Sequence, residues 1–543
     1  MQGEADQQCD VFDVESVAGH LLPAGGVFAF LGEHRLRLFP AVMFTDLFPS
    51  RRGRPSVPPE VMASVLVLQA LYGLSDREAV DAVTFDLRWK AACGYPIDAA
   101  GFHPSTLTYW RRRLAASDHP NRIFDAVRQV IIETGVLAGR HRRAVDSTIL
   151  DDAVARQDTV TQLIAAIRKV VRVVDGADQV VAERCTRLAQ VTGAGYEQTG
   201  KPAIAWDDRQ AREDLVSALV EDALALLDAL DLDAIESGGG EGARAVALLA
   251  LVAGQDVEPV DGSDGTDGRW KIARRTVPDR VISTVDPQAR HAHKTRERRQ
   301  DGYRAHVTIE PDTGLTTECA LTPAAGVENT DAAVGSRMVA DDPTLPDHGD
   351  QSVAGDDGTD DRSPVEVLGD SAYATGEFLD DLERSGRRAV LKPKPLKAAV
   401  EGGFTLDDFV FDDEENTLTC PAGHTKPVTA AGRATFKAEC RGCPLREQCT
   451  TSKTGRVVLL GKHHQIARAH RQRAQDPDLQ RVYRQHRPMV ERTIAWLARG
   501  NRRLRYIGVD KNDHWLHQRI AGINLRRLLA MGLTIKGGAW AIA

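Results

Sequence analysis

Two aspartates follow strand-like runs, at positions where a sheet could expose their carboxylates for chemistry. Asp146 follows the strand-like run 143–145 and precedes Ser-Thr, and Asp370 follows Val-Leu-Gly and precedes Ser-Ala-Tyr. We predict that both lie at strand ends, where α/β sheets commonly bind ligands. An aspartate after a strand also commonly forms a turn, and Asp151 or Asp152 is a rival for the first position. We prefer Asp146 because it directly ends the strand-like run.

A third acid, Glu491, lies in a predicted helix over 477–500 that is rich in arginine. Arg487 precedes it by about one helical turn, and Arg492 and Arg499 follow it. One interpretation is a surface ion pair between Arg487 and Glu491, which contributes roughly a few tenths of a kcal/mol. The other is a metal-binding carboxylate within a basic surface that binds a phosphate backbone. Metal binding would explain why an acid belongs there.

At these residues the sequence resembles the DDE transposases of bacterial insertion sequences. The resemblance spans nearly the whole chain and is closest to the branch with an N-terminal helical domain and a cysteine-bearing segment before the last acid. The matching pieces, in chain order, are 143–150, 301–309, 327–331, 367–378, the cysteine segment and 487–492. The resemblance implies an RNase H-like core in which Asp146, Asp370 and Glu491 are the catalytic, metal-binding residues.

The resemblance also implies the reaction: cleavage of phosphodiester bonds and joining of 3′-hydroxyl ends to target DNA. Two Mg²⁺ (or Mn²⁺) ions per active site, roughly 3.5–4 Å apart, would deprotonate the attacking oxygen and stabilise charge on the leaving oxygen. Hard divalent ions prefer oxygen ligands, which suits three carboxylates better than His or Cys. The alternatives are a catalytically inactive DNA-binding derivative and a hydrolytic metal nuclease of the same fold.

The region around the last acid departs from the Tyr-x2-Arg-x3-Glu-x6-Lys signature of related transposases. Arg487 fits, whereas Tyr483 lies one residue too far from it. Ala498 takes the final position, and the adjacent Arg499 could supply the positive charge. These differences leave the roles of Tyr483 and Arg499 open.

The charge of the chain is distributed unevenly. The net charge is -8, yet residues 451–543 contain 19 Lys and Arg against 5 Asp and Glu. Such a basic block predicts a phosphate-bearing partner, and the alternative is a solvated helical face. Arginine makes bidentate phosphate contacts, and the tail carries further ones at positions 505, 519, 526 and 527. The predicted DNA-binding residues are Arg111, Arg112, Arg113, Arg487, Arg499, Arg502 and Arg503.

Four of the eight cysteines fall within one short segment. Cys420, Cys440, Cys443 and Cys449 suit a four-thiolate Zn²⁺ site, with His424 as a substitute ligand. The alternative is a set of reduced structural thiols. The remaining cysteines are scattered singly, which argues against an extracellular disulfide framework.

The predicted secondary structure that must position these residues is mostly helical in the first half of the chain and a mixture of helices and strands after it. The sequence predicts a helix over 58–73 and another after it, with a capping box of Ser75 and Glu78. A helix over 106–114 carries the three N-terminal arginines, and these short helices fit either a helix-turn-helix unit or a small bundle. Residues 152–252 also predict helices. Beyond them, the predicted strands are 303–309, 316–321, 365–368 and 388–391, with helices at 330–339 and 376–385.

The sequence thus predicts an α/β protein: an RNase H-like mixed sheet flanked by helices, with an N-terminal all-α domain, a helical insertion and a small zinc-ribbon-like insertion. The acidic stretch 347–361 predicts a flexible loop. The predicted domains are a helical DNA-binding domain (1–140), the catalytic core (141–400) with its helical insertion (152–258), the cysteine-rich insertion (401–456) and the C-terminal part of the core (457–543).

The composition predicts a cytoplasmic protein without a membrane partner. The longest apolar run, 61–74, is shorter than the roughly 20 residues that cross a bilayer. The N-terminal segment lacks the pattern of a signal peptide. By resemblance, the partners are transposon ends and target DNA. Because two ends must meet, we expect a homodimer on DNA.

Overall fold

The computed structural model of the protein describes residues 1–4, 13–50, 52–274, 277, 279–293, 299–345, 364–500 and 502–543, without the side chains of residues 293 and 299. Cys9 and the predicted flexible loop 347–361 lie outside the described residues. None of the helices in these ranges is both long and apolar enough to cross a lipid bilayer.

The N-terminal region is helical, as predicted. Its capping box is confirmed, because Ser75 Oγ accepts from the amide of Glu78 at 3.2 Å and Glu78 accepts from the amide of Ser75 at 2.7 Å. The central helix of the region is buried on nearly all sides and ends at Gly73, whose φ of 69° suits glycine. The helices are α1 (Val14–Ala18), α2 (Gly26–Leu38), α3 (Pro59–Tyr72), α4 (Asp76–Phe85), α5 (Leu87–Cys93), α6 (Ser105–Ala115) and α7 (Arg122–Glu133), with 3-10 turns at Gly19–Leu21 and Ala41–Leu47.

The first strand of the main sheet is followed by a helical block with a core of its own. This block confirms the predicted helices after residue 152, and Gly239 separates its last two helices. The elements are β1 (Arg142–Asp151), α8 (Thr159–Val173), α9 (Ala177–Arg184), α10 (Arg187–Thr192), α11 (Arg209–Ala229), α12 (Leu232–Gly238), α13 (Gly240–Gln255), β2 (Val257–Pro259) and β3 (Trp270–Ile272).

The remaining elements of the main sheet confirm the predicted α/β pattern. They are β4 (Arg290–His293), β5 (Arg299–Glu310), β6 (Leu315–Pro323), α14 (Asp331–Ala340), β7 (Glu366–Gly369), α15 (Gly376–Arg384) and β8 (Arg388–Leu391). The sheet is mixed, and its order is β4-β5-β1-β7-β8, with β6 also pairing with β5. Strand β5 is antiparallel to β1, whereas β7 is parallel to both β1 and β8.

One expectation about β1 is wrong. Asp146 does not end the strand but lies at its middle, opposite Val307 of β5. The strand continues because Thr148, Ile149 and Leu150 favour extended backbone and pair with β5 as far as Asp151. Asp370, in contrast, directly follows β7, as predicted.

The cysteine segment contains short antiparallel strands, and the chain then ends in long helices. Helix α19 is buried along most of its length and contacts α3, α7, α18 and β6. One buried cluster therefore joins the N-terminal helices, the sheet and the C-terminal helices. The elements are β9 (Val410–Asp412), β10 (Thr417–Thr419), β11 (Thr425–Pro427), β12 (Arg433–Thr435), α16 (Arg446–Cys449), β13 (Val457–Leu459), α17 (His464–Arg473), α18 (Pro477–Ala498), α19 (Val509–Ala530), β14 (Leu533–Lys536) and β15 (Ala539–Ile542), with 3-10 turns at Leu406–Asp408 and Glu439–Arg441.

Candidate active site

The sheet brings the two predicted aspartates together. Strands β1 and β7 are parallel, with Ala144 opposite Leu368. The same offset, continued two residues further, places Asp370 beside Asp146. The carboxylate of Asp370 accepts from the amide of Ala372 at 2.8 Å, which fixes it in a turn after β7. Two carboxylates on rigid neighbouring strands are thus presented at one place.

Burial dominates the electrostatics of Asp146. Its side chain is buried, and this burial raises the pKa of the carboxyl. The positive charge of Arg487 and a hydrogen bond from the amide of Ser147 at 2.8 Å act against this rise. The charges of Asp370 and Asp331 add to it. Asp146 therefore lies in a cluster of negative charge that favours the binding of a cation.

Arg487 links the first and third acids. Its Nη2 lies 2.9 Å from a carboxylate oxygen of Asp146, and its Nε donates to Glu491 at 3.2 Å. Helix α18, which carries both Arg487 and Glu491, packs against β1 and β8. Glu491 is exposed, with 65% of its side-chain surface accessible. Asp146 and Glu491 therefore both contact the guanidinium of Arg487.

Tyr483 is close to all three predicted acids. Burial raises the pKa of its phenol, Arg487 opposes the rise, and the charges of Asp370, Asp146 and Glu491 add to it. The phenol of Tyr483 is therefore within electrostatic range of all three predicted acids. Although Tyr483 departs from the family's spacing, helix α18 brings it to the same place.

The donor set suits a hard divalent cation, but the side chains are not arranged around one. Among the described residues, no three His, Cys, Asp or Glu side chains form a group that could hold a metal ion. Carboxylate oxygens are the ligands that Mg²⁺ prefers, and Arg487 lies where positive charge is needed. Arg487 contacts both Asp146 and Glu491 and so takes the place that a cation between them would occupy.

Asp331 is a neighbouring acid that the sequence predictions missed as a site residue. Its carboxylate accepts from Ser147 Oγ at 2.6 Å and from Arg304 at 2.9 Å. It is the first residue of α14, and Thr330 caps that helix. Its position in the matching piece 327–331 was the available signal. Asp331 orients the residue next to Asp146.

The rival acid Asp152 belongs to a different cluster. Burial and the facing carboxyl of Asp286 raise its pKa to about 6. Asp286 accepts from the hydroxyl of Tyr303 at 2.7 Å and from the amide of Gly508 at 3.0 Å. The other rival, Asp151, accepts at 3.3 Å from the side-chain amide of Gln300. Neither rival contacts Arg487.

The predicted N-terminal DNA-binding arginines differ in their surroundings. Arg111 pairs with Asp76 at 2.5 Å. Arg113 donates to the carbonyl of Leu47 at 2.6 Å. These two residues therefore hold the helical region together, whereas Arg112 is exposed.

The predicted C-terminal arginines lie mostly at the surface. Arg499, Arg502 and Arg503 are exposed. Arg503 donates to the carbonyl of Ala153 at 2.9 Å, so its backbone and side chain run beside the end of β1. This basic segment therefore lies next to the strand that carries Asp146.

The four clustered cysteines converge. Cys420, Cys440, Cys443 and Cys449 line one small cavity of about 20 Å³ together with His424. None forms a disulfide. Burial raises the pKa of Cys449, and the other three thiols contribute to that rise. The segment has the ligand types for zinc, although no metal-binding arrangement is present in the described part of the chain.

Comparison with known families gives two matches. Residues 419–529 match the family described as "Transposase DDE domain", and residues 34–113 match "Transposase domain (DUF772)". The first range includes Glu491 and the cysteines, and the second covers most of the N-terminal helices. Searches of curated proteins and of solved structures found no match. Both matches are to transposase families and lie in separate parts of the chain, and together they support a DDE-type insertion-sequence transposase.

Proposed function

We propose that this transposase binds the terminal inverted repeats of a bacterial insertion sequence in the cytoplasm, cleaves phosphodiester bonds and joins 3′-hydroxyl ends to target DNA. The catalytic residues are Asp146, Asp370 and Glu491. The observation that carries this proposal is the placement of these acids: Asp146 lies on β1, Asp370 directly follows the neighbouring parallel strand β7, and Glu491 is linked to Asp146 through Arg487.

The same proposal assigns an RNase H-like fold to the core. What supports it is the mixed sheet, in which β5 and β6 extend antiparallel from β1 on one side and β7 and β8 extend parallel on the other. The ligand-bearing positions lie on β1 and just after β7, the central parallel pair. The helical block between β1 and β4 is then an insertion.

The three acids and Arg487 have different roles in this proposal. Asp146 and Asp370 are held by the sheet and offer rigid oxygen ligands, whereas Glu491 completes the set from a helix. Two bound Mg²⁺ or Mn²⁺ ions would supply activation of the attacking oxygen and stabilisation of the leaving oxygen. Arg487 balances the charge of Asp146. If a bound metal ion took over this role, the guanidinium of Arg487 would be available for a DNA phosphate.

The surrounding parts take supporting roles in this proposal. The helical domain 1–140 and the exposed Arg112, Arg499, Arg502 and Arg503 bind DNA. The segment 401–456 binds one Zn²⁺ through its four cysteines and is stabilised as a zinc-ribbon-like insertion. Two copies act together, because two transposon ends must meet.

The deciding experiment incubates purified protein with labelled element-end DNA, target DNA and Mg²⁺. Joined products support transposition, cleaved ends alone indicate a hydrolytic nuclease, and binding alone indicates an inactive derivative. Asp146→Asn, Asp370→Asn and Glu491→Gln should each abolish cleavage and retain end binding. Asp151→Asn is the matched control and should cleave normally. Normal cleavage by any of the first three variants would remove that residue from the site.

A further inference from the structure

A basic cavity lies between the N-terminal helices and the C-terminal helices. Its volume is about 470 Å³, and we call it the arginine cavity. It is formed by the end of α3, the end of α18 and the second half of α19. Its lining residues are Leu71, Tyr72, Trp496, Arg499, Arg519, Ile523, Arg526 and Arg527. Half of the lining side chains are thus cationic, and none is acidic.

These positive charges are not neutralised by the protein. Within the described ranges, no carboxylate forms an ion pair with Arg499, Arg519, Arg526 or Arg527. Burial lowers the pKa of Arg519 to about 10, and the charge of Arg526 contributes. Burial also lowers the pKa of Arg527, with a contribution from Arg492. Like charges held together without a counter-ion favour an anionic ligand.

The wall of the cavity is rigid because of Arg519. This residue is only 3% exposed, and it donates to five backbone carbonyls, which use all five of its N–H groups. The acceptors belong to the C-terminal ends of two helices: Ala70 and Leu71 of α3, and Trp496, Leu497 and Arg499 at the end of α18. Arg519 therefore supplies charge and shape, and the other arginines remain to contact a ligand.

The other arginines are held in place by aromatic rings and still have donors to offer. The guanidinium carbon of Arg526 lies 5.0 Å from the ring centre of Tyr72. That of Arg527 lies 5.3 Å from the ring of Trp496, and its Nε donates to the carbonyl of Thr313 at 2.8 Å. Arg499 and Arg526 are exposed at the cavity. Guanidinium groups presented in this way match the oxygens of a phosphate.

The distance to the predicted catalytic acids suits a DNA strand. Arg499 follows Glu491 by eight residues along α18, which corresponds to about 12 Å. Consecutive phosphates of one B-DNA strand lie further apart through space than the rise of about 3.4 Å along the duplex axis, so a few nucleotides cover this distance. A strand whose scissile phosphate lies at the acids can therefore place a later phosphate in the arginine cavity.

We propose that the arginine cavity binds backbone phosphates of the DNA strand that leaves the cleavage site, a few nucleotides away from the scissile phosphate. This inference rests on the proposed function, because the strand it names is the one being cut. The cavity has walls from both the N-terminal helices and helix α18. Binding of this strand therefore fixes the N-terminal helices against the helix that carries Glu491.

The test measures DNA binding without cleavage, in full-length protein carrying Asp146→Asn. The probe is a fluorescent duplex with one end of the element, and its affinity is measured over a series of salt concentrations. Adding Arg499→Gln and Arg526→Gln should weaken binding and lower the slope of log K against log salt by about 2, one for each lost phosphate contact. The control adds Arg209→Gln and Arg269→Gln, two exposed arginines of the helical block, and should retain the slope.

The outcomes separate this inference from the proposed function. If both pairs of substitutions bind DNA with the same affinity and slope, the arginine cavity is not a phosphate site, although DNA binding itself stands. If no form binds DNA, both proposals fall. Inorganic phosphate is the second probe. One contrary outcome is that phosphate raises the melting temperature only when Arg499 and Arg526 are present, while the affinity for DNA is the same with and without these two arginines. In that case the ligand is a free phosphate and the DNA assignment is wrong.

A neutral backbone linkage locates the contact. One methylphosphonate is placed at each position of the strand in turn, and its effect on binding is compared between the two proteins. At a position a few nucleotides from the cleavage site, the neutral linkage should weaken binding by the Asp146→Asn protein and not by the form that lacks Arg499 and Arg526. Equal weakening of both would overturn the inference.

Discussion

The guanidinium of Arg487 lies 2.9 Å from the carboxylate of Asp146, and this contact joins helix α18 to the central strand β1. The pair is partly shielded from water, because Asp146 is buried and Arg487 is 22% exposed. Removal of one partner from a shielded pair leaves the other charge uncompensated. Arg487 therefore controls how readily Asp146 keeps its charge before a metal ion arrives.

Arg487→Met should shift the pH dependence of cleavage. Arg487 lowers the pKa of Asp146 against the rise that burial causes, so its loss lets that pKa rise further. Because a metal ligand must be deprotonated, the acidic limb of the rate profile should move to higher pH. The measurement is the single-turnover cleavage rate against pH at saturating Mg²⁺. Arg484→Met, on the exposed side of the same helix, should leave the limb in place, and an unmoved limb in Arg487→Met would contradict the prediction.

Much of the site was predictable because its signals are local. The helix around Glu491 and the strand before Asp370 follow from periodicity and from the residues next to them. The central position of Asp146 in its strand was not predictable, because the run from Ser147 to Asp151 does not alternate polar and apolar residues. Its pairing with β5 also crosses more than a hundred residues of inserted helices. Convergence of the acids on Arg487 depends on that pairing.

The role of Arg519 in the basic tail was likewise not predictable from the sequence. Its sequence context predicts a phosphate contact, yet the structure buries it and directs its donors to protein carbonyls. Two of those carbonyls belong to α3, more than 440 residues away along the chain. No short-range pattern reports such a partner, so the distinction between a DNA-binding and a structural arginine required the fold.

Asp152→Asn should stabilise the protein at neutral pH. In the folded protein the pKa of Asp152 is about 6, whereas in an unfolded chain it is about 4. The folded state therefore binds more protons between these values, and the free energy of unfolding falls as pH rises from about 4 to about 6. Asparagine removes this loss, which is roughly 1–3 kcal/mol.

The measurement for Asp152→Asn is denaturant unfolding at about pH 4.5 and about pH 7.5. The stabilisation relative to the wild type should be larger at the higher pH. Asp151→Asn is the neighbouring control for the loss of one carboxylate. A stabilisation found only at the lower pH would contradict the assigned direction of the pKa shift of Asp152.

Zinc content should depend on the clustered cysteines. Purified protein is expected to hold about one Zn²⁺ per chain, and Cys443→Ala should lose it, because a structural site uses four ligands. Removal of zinc by a chelator should also lower the melting temperature, since metal binding contributes to folding. Elemental analysis is the measurement. Cys93→Ala, far from the cluster, should keep its zinc, and a wild-type protein free of zinc would leave the segment as structural thiols.

Arg519→Met should destabilise the protein strongly. The substitution leaves five carbonyls at the ends of α3 and α18 without their donors, and buried acceptors without partners cost free energy. We expect a loss of about 3–5 kcal/mol in the free energy of unfolding, because each buried acceptor left without a donor costs about 1–3 kcal/mol. Arg519→Lys keeps the charge but has three donors, so it should lose less.

The measurement for Arg519 is again denaturant unfolding, with Arg505→Met as control, because Arg505 is exposed and donates to one carbonyl, that of Gly73. A loss below about 1 kcal/mol for Arg519→Met would mean that the surrounding helices satisfy their own carbonyls. In that case α3 and α18 would be held together by apolar packing alone. The helix that carries Glu491 would then not depend on Arg519 for its position.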